Sequence, residues 1–196
     1  MPIQFLKKTV LLGMALFSAF AGPMASASLE ERMVVQVASL MSSEEDVHLS
    51  LDSVELSRHI VSLSRHYHID PLLVLAIIKT ESRFETTARS QAGAIGLMQV
   101  MPIVLRAVGP EIDVDRREDL LDPYKNLHLG IHYFTFLLEK YHYNLQRALA
   151  AYNVGPSALD QMLKENIFPL AYYRKVMRFY HHYYQKMKAL PEMKLT

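Results

Sequence analysis

DPLLVLAIIKTESRFETTARSQAGAIGLMQVMP, residues 70–102, opens as a short apolar helix and turns into a loop of small residues before a second helix start. Asp70 suits an N-cap, and Pro71 a first helical residue, where its missing N–H costs nothing. Leu73, Val74, Ile77 and Ile78 recur at helical spacing and mark a buried face. Glu81 follows Ile77 by four and Ile78 by three, so it projects from that face as the helix runs out. A carboxyl held among apolar neighbours has its charged form disfavoured, which raises its pKa and suits it to donate a proton near neutrality. Spacing alone leaves a second reading open: a solvated glutamate or an ion-pair partner at a helix end. After Phe84, the small residues Ala88, Ser90, Ala92, Gly93, Ala94 and Gly96 let the backbone pass close to another helix or a ligand. Leu97 to Val108 resumes helical periodicity, with Pro102 at a new first turn.

Upstream, Leu56, Ile60, Leu63 and Tyr67 share one face of a helix over Ser53 to Tyr67. Further back, Leu29, Met33, Val37 and Leu40 suggest a leader helix, with a linker at Ser42 to Asp46. Downstream, Gly109 to Pro123 reads as an irregular acidic loop. Leu127, Ile131, Phe134, Leu137 and Leu138 line one side of a helix over Tyr124 to Tyr141. Leu145 to Asn153 forms another, ended by Gly155-Pro156. Ser157 is placed to cap Ala158 to Lys164, and Pro169 to open a last aromatic helix reaching about Met187. Period-2 alternation is missing at any useful length. The expectation is an all-α fold of about six to eight helices in one domain.

The chain has 196 residues, half of them hydrophobic, enough for a real core. It has no cysteine, which excludes disulfides and thiolate metal sites. The charge is balanced and no basic stripe interleaves with aromatics, so nucleic acid is not an expected partner. Lys7 and Lys8 precede an apolar run over Val10 to Phe20, and Ala25-Ser26-Ala27 follows as a cleavage signal. The apolar run is short for a membrane span, so a signal peptide over 1–27 is favoured over an uncleaved anchor. Cleavage after Ala27 removes two lysines, leaving 19 basic against 20 acidic residues, a net charge of −1. The expected division is a signal peptide over 1–27, a leader helix and linker over 28–50, a main helical domain over 51–187 and a tail over 188–196. The mature chain is expected in the periplasm or outside the cell.

Beyond Glu81, a Tyr-Asn pair at Tyr152-Asn153 stands before the Gly-Pro break and could bring polar groups to a cleft. His128 and His132 are i, i+4 on one helix, a spacing that can bind zinc. No third ligand sits at an obvious spacing, so interfacial or core histidines are the favoured reading and no metal is expected. The run Tyr180 to Tyr184 reads as an aromatic helix packed on the domain, with a membrane or partner contact as the alternative.

Several motifs in order resemble the soluble lytic transglycosylases: the SLT domain, glycoside hydrolase family 23, with a goose-type lysozyme-like fold. Glu81-Ser82-Arg83-Phe84 is followed in register by Ala88, Ser90, Gly93-Ala94, Gly96-Leu97-Met98-Gln99 and Met101-Pro102. Asn126, Gly130 and Tyr133 match the family's N-x-x-x-G-x-x-Y, and Ala148 to Gly155 matches its A-L-A-A-Y-N-x-G. The resemblance covers roughly Leu56 to Tyr180. It implies a lysozyme-like helical domain with a cleft, acting on peptidoglycan strands without a cofactor. By resemblance, Glu81 protonates the oxygen between N-acetylmuramic acid and N-acetylglucosamine and then serves as base. The muramyl 6-hydroxyl attacks its own anomeric carbon and leaves a 1,6-anhydro end. Ordinary glycosidases need a second carboxyl, as nucleophile or to activate water; here the substrate supplies the nucleophile.

The resemblance also assigns supporting roles. Ser90 and Gln99 match sugar-contacting positions, with loop and cap hydrogen bonding as the alternative. Met101 matches an apolar cleft residue, or else packs in the core. Tyr152 matches a tyrosine that hydrogen-bonds the catalytic carboxyl, Asn153 lies beside it, and Tyr172 matches a later tyrosine close to the site; an aromatic helix face is the alternative for both tyrosines. The family often carries E-T-x-x-Y-V near the end, where this chain has Phe168-Pro169-Leu170-Ala171-Tyr172-Tyr173. The loop before it is shortened to Lys164-Glu165-Asn166-Ile167, and Glu85-Thr86 replaces the common Asn-Pro. These departures bear on the cleft's far wall and on substrate length, not on the acid. The rival enzyme is a hydrolysing muramidase using Asp113, Asp115 or Asp119 to activate water. The rival outside enzymes is a wall-binding scaffold of an envelope assembly. The chain is expected to act as a monomer, with any envelope or secretion partner unassigned.

Overall fold

Asp52, Asp70, Asp122 and Asn144 each start a helix in the same way, a side-chain oxygen accepting a free N–H of the first turn. The bonds are 2.8 Å from Val54 N, 2.8 Å from Leu72 N, 2.9 Å from Tyr124 N and 3.1 Å from Arg147 N. Pro71, Pro102, Pro123 and Pro156 each fill a first helical position, where proline has no N–H to leave unpaired. The computed structural model describes residues 23–44, 52–114 and 116–190. Within them the helices are α1 (Pro23–Ser42), α2 (Ser53–His66), α3 (Pro71–Glu81), α4 (Pro102–Val108), α5 (Pro123–Lys140), α6 (Leu145–Val154), α7 (Pro156–Lys164) and α8 (Ala171–Ala189). Short 3₁₀ segments at Gly109–Ile112 and Arg117–Leu121 fill the acidic loop. Among the described residues there is no strand, only isolated bridges pairing Ile95 with Arg89 and Val100.

Two helix starts differ from the sequence reading. Helix α7 begins at Pro156, with Gly155 at φ 84° as its N-cap, so Ser157 is already inside it and does not cap. Helix α8 begins at Ala171 rather than at Pro169; its first hydrogen bond runs from Arg174 N to Leu170 O at 2.9 Å. The periodicity from Leu97 is a turn rather than helix until Pro102.

Helix α3 is buried from Leu72 to Thr80, around its whole circumference, where the spacing suggested a single buried face. A helix apolar all round belongs at the centre of a domain. Helix α8 runs antiparallel along it. Tyr180 Oη donates to Asp70 Oδ2 at 2.8 Å at one end of α3, and Lys175 Nζ donates to the Thr80 carbonyl at 3.1 Å near the other. Tyr180 and Tyr183 of the aromatic run therefore pack on the domain, Tyr183 fully buried, while His181, His182 and Tyr184 are exposed.

Helix α1 packs on α2 and α8, and its Val34, Val37, Leu40 and Met41 lie in the same core as α3 and α5. Just past its end, Glu44 Oε2 meets Lys79 Nζ of α3 at 2.6 Å, the two side chains only 10% and 8% exposed. His182 and Lys186 of α8 flank the same carboxylate at 3.6 and 3.8 Å. The expected cleavage point after Ala27 falls inside α1. Residues 1–22 of the expected signal peptide, 45–50 of the linker and 191–196 of the tail lie outside the described residues, as does Asp115.

The loop between α3 and α4 is held by its own backbone. Ile95 and Val100 exchange hydrogen bonds at 3.1 and 2.9 Å, and Gly96 N donates to Ala88 O at 2.9 Å. Asn126, fully buried on α5, clamps this loop. Its Oδ1 accepts from Met98 N at 2.9 Å, and its Nδ2 donates to the carbonyls of Ile95 at 2.8 Å and Leu120 at 3.0 Å. A side chain at Gly96 would collide with this amide, and one at Gly130 with Met98. Replacing Asn126 by Ala strands three buried backbone groups, at about 1–3 kcal/mol each if water does not reach them. We expect a loss of at least about 3 kcal/mol of stability, checked by urea unfolding.

Candidate active site

Glu81 ends α3 and opens into a cleft of about 580 Å³. Thr80, Ser82, Arg83, Glu85, Thr87, Ala88, Arg89, Gln99 and Lys175 complete its lining. The chain turns sharply after Glu81: Arg83 and Phe84 both take positive φ, at 54° and 67°, unusual for residues with a Cβ. Buried Ser82 makes this turn possible, its Oγ accepting from Phe84 N at 3.1 Å and donating to Ile78 O at 3.2 Å. Strain of this kind persists only where the surroundings over-determine it, and it clusters at functional sites.

The Glu81 carboxyl is held from α8. Tyr172 Oη donates a short hydrogen bond to Glu81 Oε1, and the Lys175 ammonium lies close enough to act on the same charge. Burial pushes the Glu81 pKa above the usual carboxylate range, outweighing the opposing pulls of the Tyr172 hydroxyl and the Lys175 charge. Burial and the nearby carboxylate keep Tyr172 and Tyr152 protonated far above neutrality, so both stay neutral donors. A carboxyl that prefers its proton, faces a cleft and is fixed by a donor can act as a general acid and then as a base.

The two tyrosines exchange their expected roles. Tyr152, expected on the carboxyl, donates instead to the Met98 carbonyl at 2.8 Å. Its ring packs 5.8 Å from Tyr133 and 5.9 Å from Phe134, so it ties α6 and α5 to the loop under the site. Tyr172, expected only nearby, makes the direct contact. The cause is position: α8 lies antiparallel on α3 and brings Tyr172 level with its last residue.

The other expected residues divide between cleft and scaffold. Gln99 lines the cleft, but its Nε2 is used within the loop, on the carbonyls of Ala88 and Gly96, both at 3.1 Å. Ser90 is not in the cleft lining; its Oγ accepts from Ala94 N at 3.0 Å and closes the 90–94 turn. Met101 is the N-cap residue of α4 and packs against the core. Asn153 is exposed on the last turn of α6. Asp119 is buried, its carboxylate taken by Lys125 Nζ at 2.7 Å and Arg116 N at 3.1 Å, with the Lys125 bond holding its pKa low. Neither Asp119 nor Asp113 lines the cleft. His128 takes Tyr67 Oη at 2.8 Å and His132 takes Glu111 at 3.0 Å, so this pair sits in the α2–α5 interface among the described residues.

Sequence reasoning missed Lys175, Arg83, Arg89 and Glu85. Lys175 follows Tyr172 by three on a helix, so the two share a face, and that signal was available. Removing the Lys175 charge takes away a pull that stabilises the Glu81 carboxylate. Lys175→Met should therefore raise the Glu81 pKa further and move the alkaline fall of activity to higher pH; a pH–rate profile of both proteins checks this.

The family model for the Transglycosylase SLT domain matches residues 59–170. It ends two residues before Tyr172. The chain is 31% identical over 133 residues to the membrane-bound lytic murein transglycosylase C of Actinobacillus succinogenes, covering 61% of this chain and 36% of that protein. It is 30% identical over 106 residues to a transglycosylase of Enterobacteria phage PRD1, covering 54% of this chain and 37% of that one. The chain thus spans little more than a third of the length of these relatives. In fold it is similar to an inactive mutant of the lytic transglycosylase Slt from Pseudomonas aeruginosa, with a TM-score of 0.62 at 23% identity over 82% of this chain and 31% of that one. It is also similar to the 70 kDa soluble lytic transglycosylase of Escherichia coli, with a TM-score of 0.57 at 20% identity over 83% and 32%.

Proposed function

The chain belongs to the transglycosylase SLT domain family, and from that premise we propose that it is a peptidoglycan lytic transglycosylase with Glu81 as its single acid and base. It breaks the β-1,4 bond between N-acetylmuramic acid and N-acetylglucosamine without water. The protonated Glu81 gives its proton to the glycosidic oxygen as the C1–O bond opens. The resulting carboxylate then takes the proton of the muramyl 6-hydroxyl, whose oxygen closes onto C1. One end leaves as the N-acetylglucosamine 4-hydroxyl and the other as the 1,6-anhydro sugar, and Glu81 is again protonated. The acetamido group of the muramyl sugar steadies the cationic centre.

The observation that carries this reading is the partly buried, tyrosine-held Glu81 in a cleft whose other acid, Glu85, is exposed and accepts from Thr87 at 2.7 Å. Burial favours the acid form that starts the reaction, and the Tyr172 hydroxyl and Lys175 charge stabilise the carboxylate that follows. The work takes place in the cell envelope. The chain reaches it through the signal over residues 1–27 and acts there as a monomer on glycan strands. No helix among the described residues is long and apolar enough to cross a membrane.

Digestion of purified sacculi in ¹⁸O-labelled water tests the reaction type. The proposal requires products free of ¹⁸O at the new ends; label at the muramyl C1 would establish hydrolysis instead.

A further inference from the structure

We propose that Asp70 and Tyr180 are positioning residues for the reaction: their hydrogen bond at the start of α3 sets the register in which α8 presents the Tyr172 hydroxyl to Glu81 at the end of α3. The inference rests on the proposed function, because it concerns the carboxyl which that reading makes the acid and base. Among the described residues, three side-chain hydrogen bonds join α8 to α3 and its cap. Tyr172 Oη donates to Glu81 Oε1, Lys175 Nζ to Thr80 O at 3.1 Å and Tyr180 Oη to Asp70 Oδ2 at 2.8 Å. The donors ascend α8 while the acceptors descend α3, so one antiparallel register satisfies all three.

Apolar packing alone does not set this register. α3 is buried from Leu72 to Thr80, and Val176, between the two tyrosines on one i, i+4, i+8 row of α8, is fully buried. Apolar contact is non-directional and tolerates sliding, whereas a hydrogen bond holds only within a narrow range of distance and angle. Tyr180 stands about 12 Å along the helix from Tyr172, and neither it nor Asp70 lines the cleft. The pair therefore acts on the site only through α8 as a rod. Asp70 serves both helices: its Oδ1 caps α3 at Leu72 N, 2.8 Å away, and its Oδ2 is left for Tyr180. Burial, with Asp70 adding to it, holds the Tyr180 pKa far above neutrality, so the hydroxyl stays a donor.

A shift of α8 along α3 has a readable consequence at Glu81. The Tyr172 hydroxyl and the Lys175 charge oppose the burial that raises the Glu81 pKa. Loosening their register weakens both pulls, so the pKa rises and the alkaline fall of activity moves to higher pH. Loss of a negative charge at position 70 acts in the opposite direction, so the sign of the change separates register from long-range charge. The titratable groups that face Glu81 or share its cleft are Tyr172 and Lys175 of α8, Tyr152 of α6, and Arg83, Glu85 and Arg89 of the loop after α3. Substitutions at Asp70 and Tyr180 leave all of them in place.

The test reads Glu81 directly, so that it does not depend on turnover. The chain is labelled with ¹³C at its glutamate carboxyls and titrated by NMR, the Glu81 signal being the one absent from Glu81→Gln. Tyr180→Phe keeps the ring and loses the bond. Asp70→Ser keeps an N-cap oxygen but is too short to serve Tyr180 as well. Asp70→Asn loses the charge and keeps both links, its amide donating to the Tyr180 hydroxyl oxygen. Tyr180→Phe and Asp70→Ser are expected to move the Glu81 titration to higher pH, and Asp70→Asn to leave it near the wild-type position. On a soluble glycan, kcat of Tyr180→Phe is expected to fall about tenfold with KM unchanged, as a small misplacement of a reacting group does. A Glu81 titration in Tyr180→Phe that coincides with wild type, whatever its loss of Tm, would overturn the proposal. If Tyr180→Phe does not fold, the two Asp70 variants decide, and equal titrations of Glu81 in both would overturn it. Anhydro products from the wild type are scored separately. Failure there refutes the proposed reaction, while the Glu81 titration still judges the positioning pair.

Discussion

Replacing Glu81 by Gln is expected to reduce sacculus cleavage by a factor of about 10³ or more while leaving the fold intact. A positioned general acid contributes about 10²–10⁴ in rate, and the proposed mechanism assigns both proton transfers to this one carboxyl. The amide keeps the shape and can still accept the Tyr172 hydroxyl bond, but it has no proton to give. Stability should move the other way. The folded protein holds the Glu81 pKa above its unfolded value because burial penalises the charge. Its stability is therefore greatest below the unfolded pKa and declines as pH rises through the folded one. Near neutrality the wild type carries that penalty and the Gln variant does not, so the variant should melt no lower than wild type. A large loss of Tm in Glu81→Gln would mean that the carboxyl serves structure rather than chemistry.

The second large effect is expected at Glu44, which does not line the cleft. Glu44→Gln leaves the Lys79 ammonium, 8% exposed, without a counter-charge, while His182 and Lys186 still face the same point. Breaking one side of a buried pair costs about 3–5 kcal/mol, most of it the cost of an uncompensated buried charge. For a chain of this size that is a fall in Tm of roughly 10 °C. Replacing both partners by apolar residues, Glu44→Leu with Lys79→Met, removes the stranded charge, and much of the loss should be recovered. Thermal melting of Glu44→Leu, Lys79→Met and the double variant forms the cycle. If Glu44→Gln melts with the wild type, the pair contributes nothing to holding α1, which then rests on its apolar face and on the Glu30–Arg65 and Glu31–Arg58 pairs with α2.

Much of the fold was readable because its signals are local. The caps at Asp52, Asp70, Asp122 and Asn144, and the prolines Pro71, Pro102, Pro123 and Pro156, mark helix starts within a residue or two. The burial of the Glu81 carboxyl was readable because its neighbours at i−3 and i−4 are apolar. What the sequence could not give was which helix lies against which. The exchange of roles between Tyr152 and Tyr172 follows from α8 lying antiparallel on α3, a contact across 91 residues of chain. The same long-range packing brings Lys175 to Thr80 and Glu44 to Lys79. Ser90 and Gln99 show a further limit. Their side chains satisfy backbone groups of the loop itself, a use that a motif match cannot tell from a sugar contact.

The departures near the end of the chain have a physical place as well. Phe168 to Leu170 precede α8, and its N-cap Leu170 offers no side-chain cap. The missing Glu and Thr of the family pattern would lie in this segment. From α8, Lys175 lines the cleft and Tyr172 holds the Glu81 carboxyl.

The most direct test of the central claim is mass spectrometry of the fragments released from purified sacculi by the wild-type chain, with Glu81→Gln run alongside. The account predicts 1,6-anhydromuramyl ends from the wild type and none above background from the variant. Reducing muramic ends from the wild type, or anhydro ends at an unchanged rate from Glu81→Gln, would contradict it.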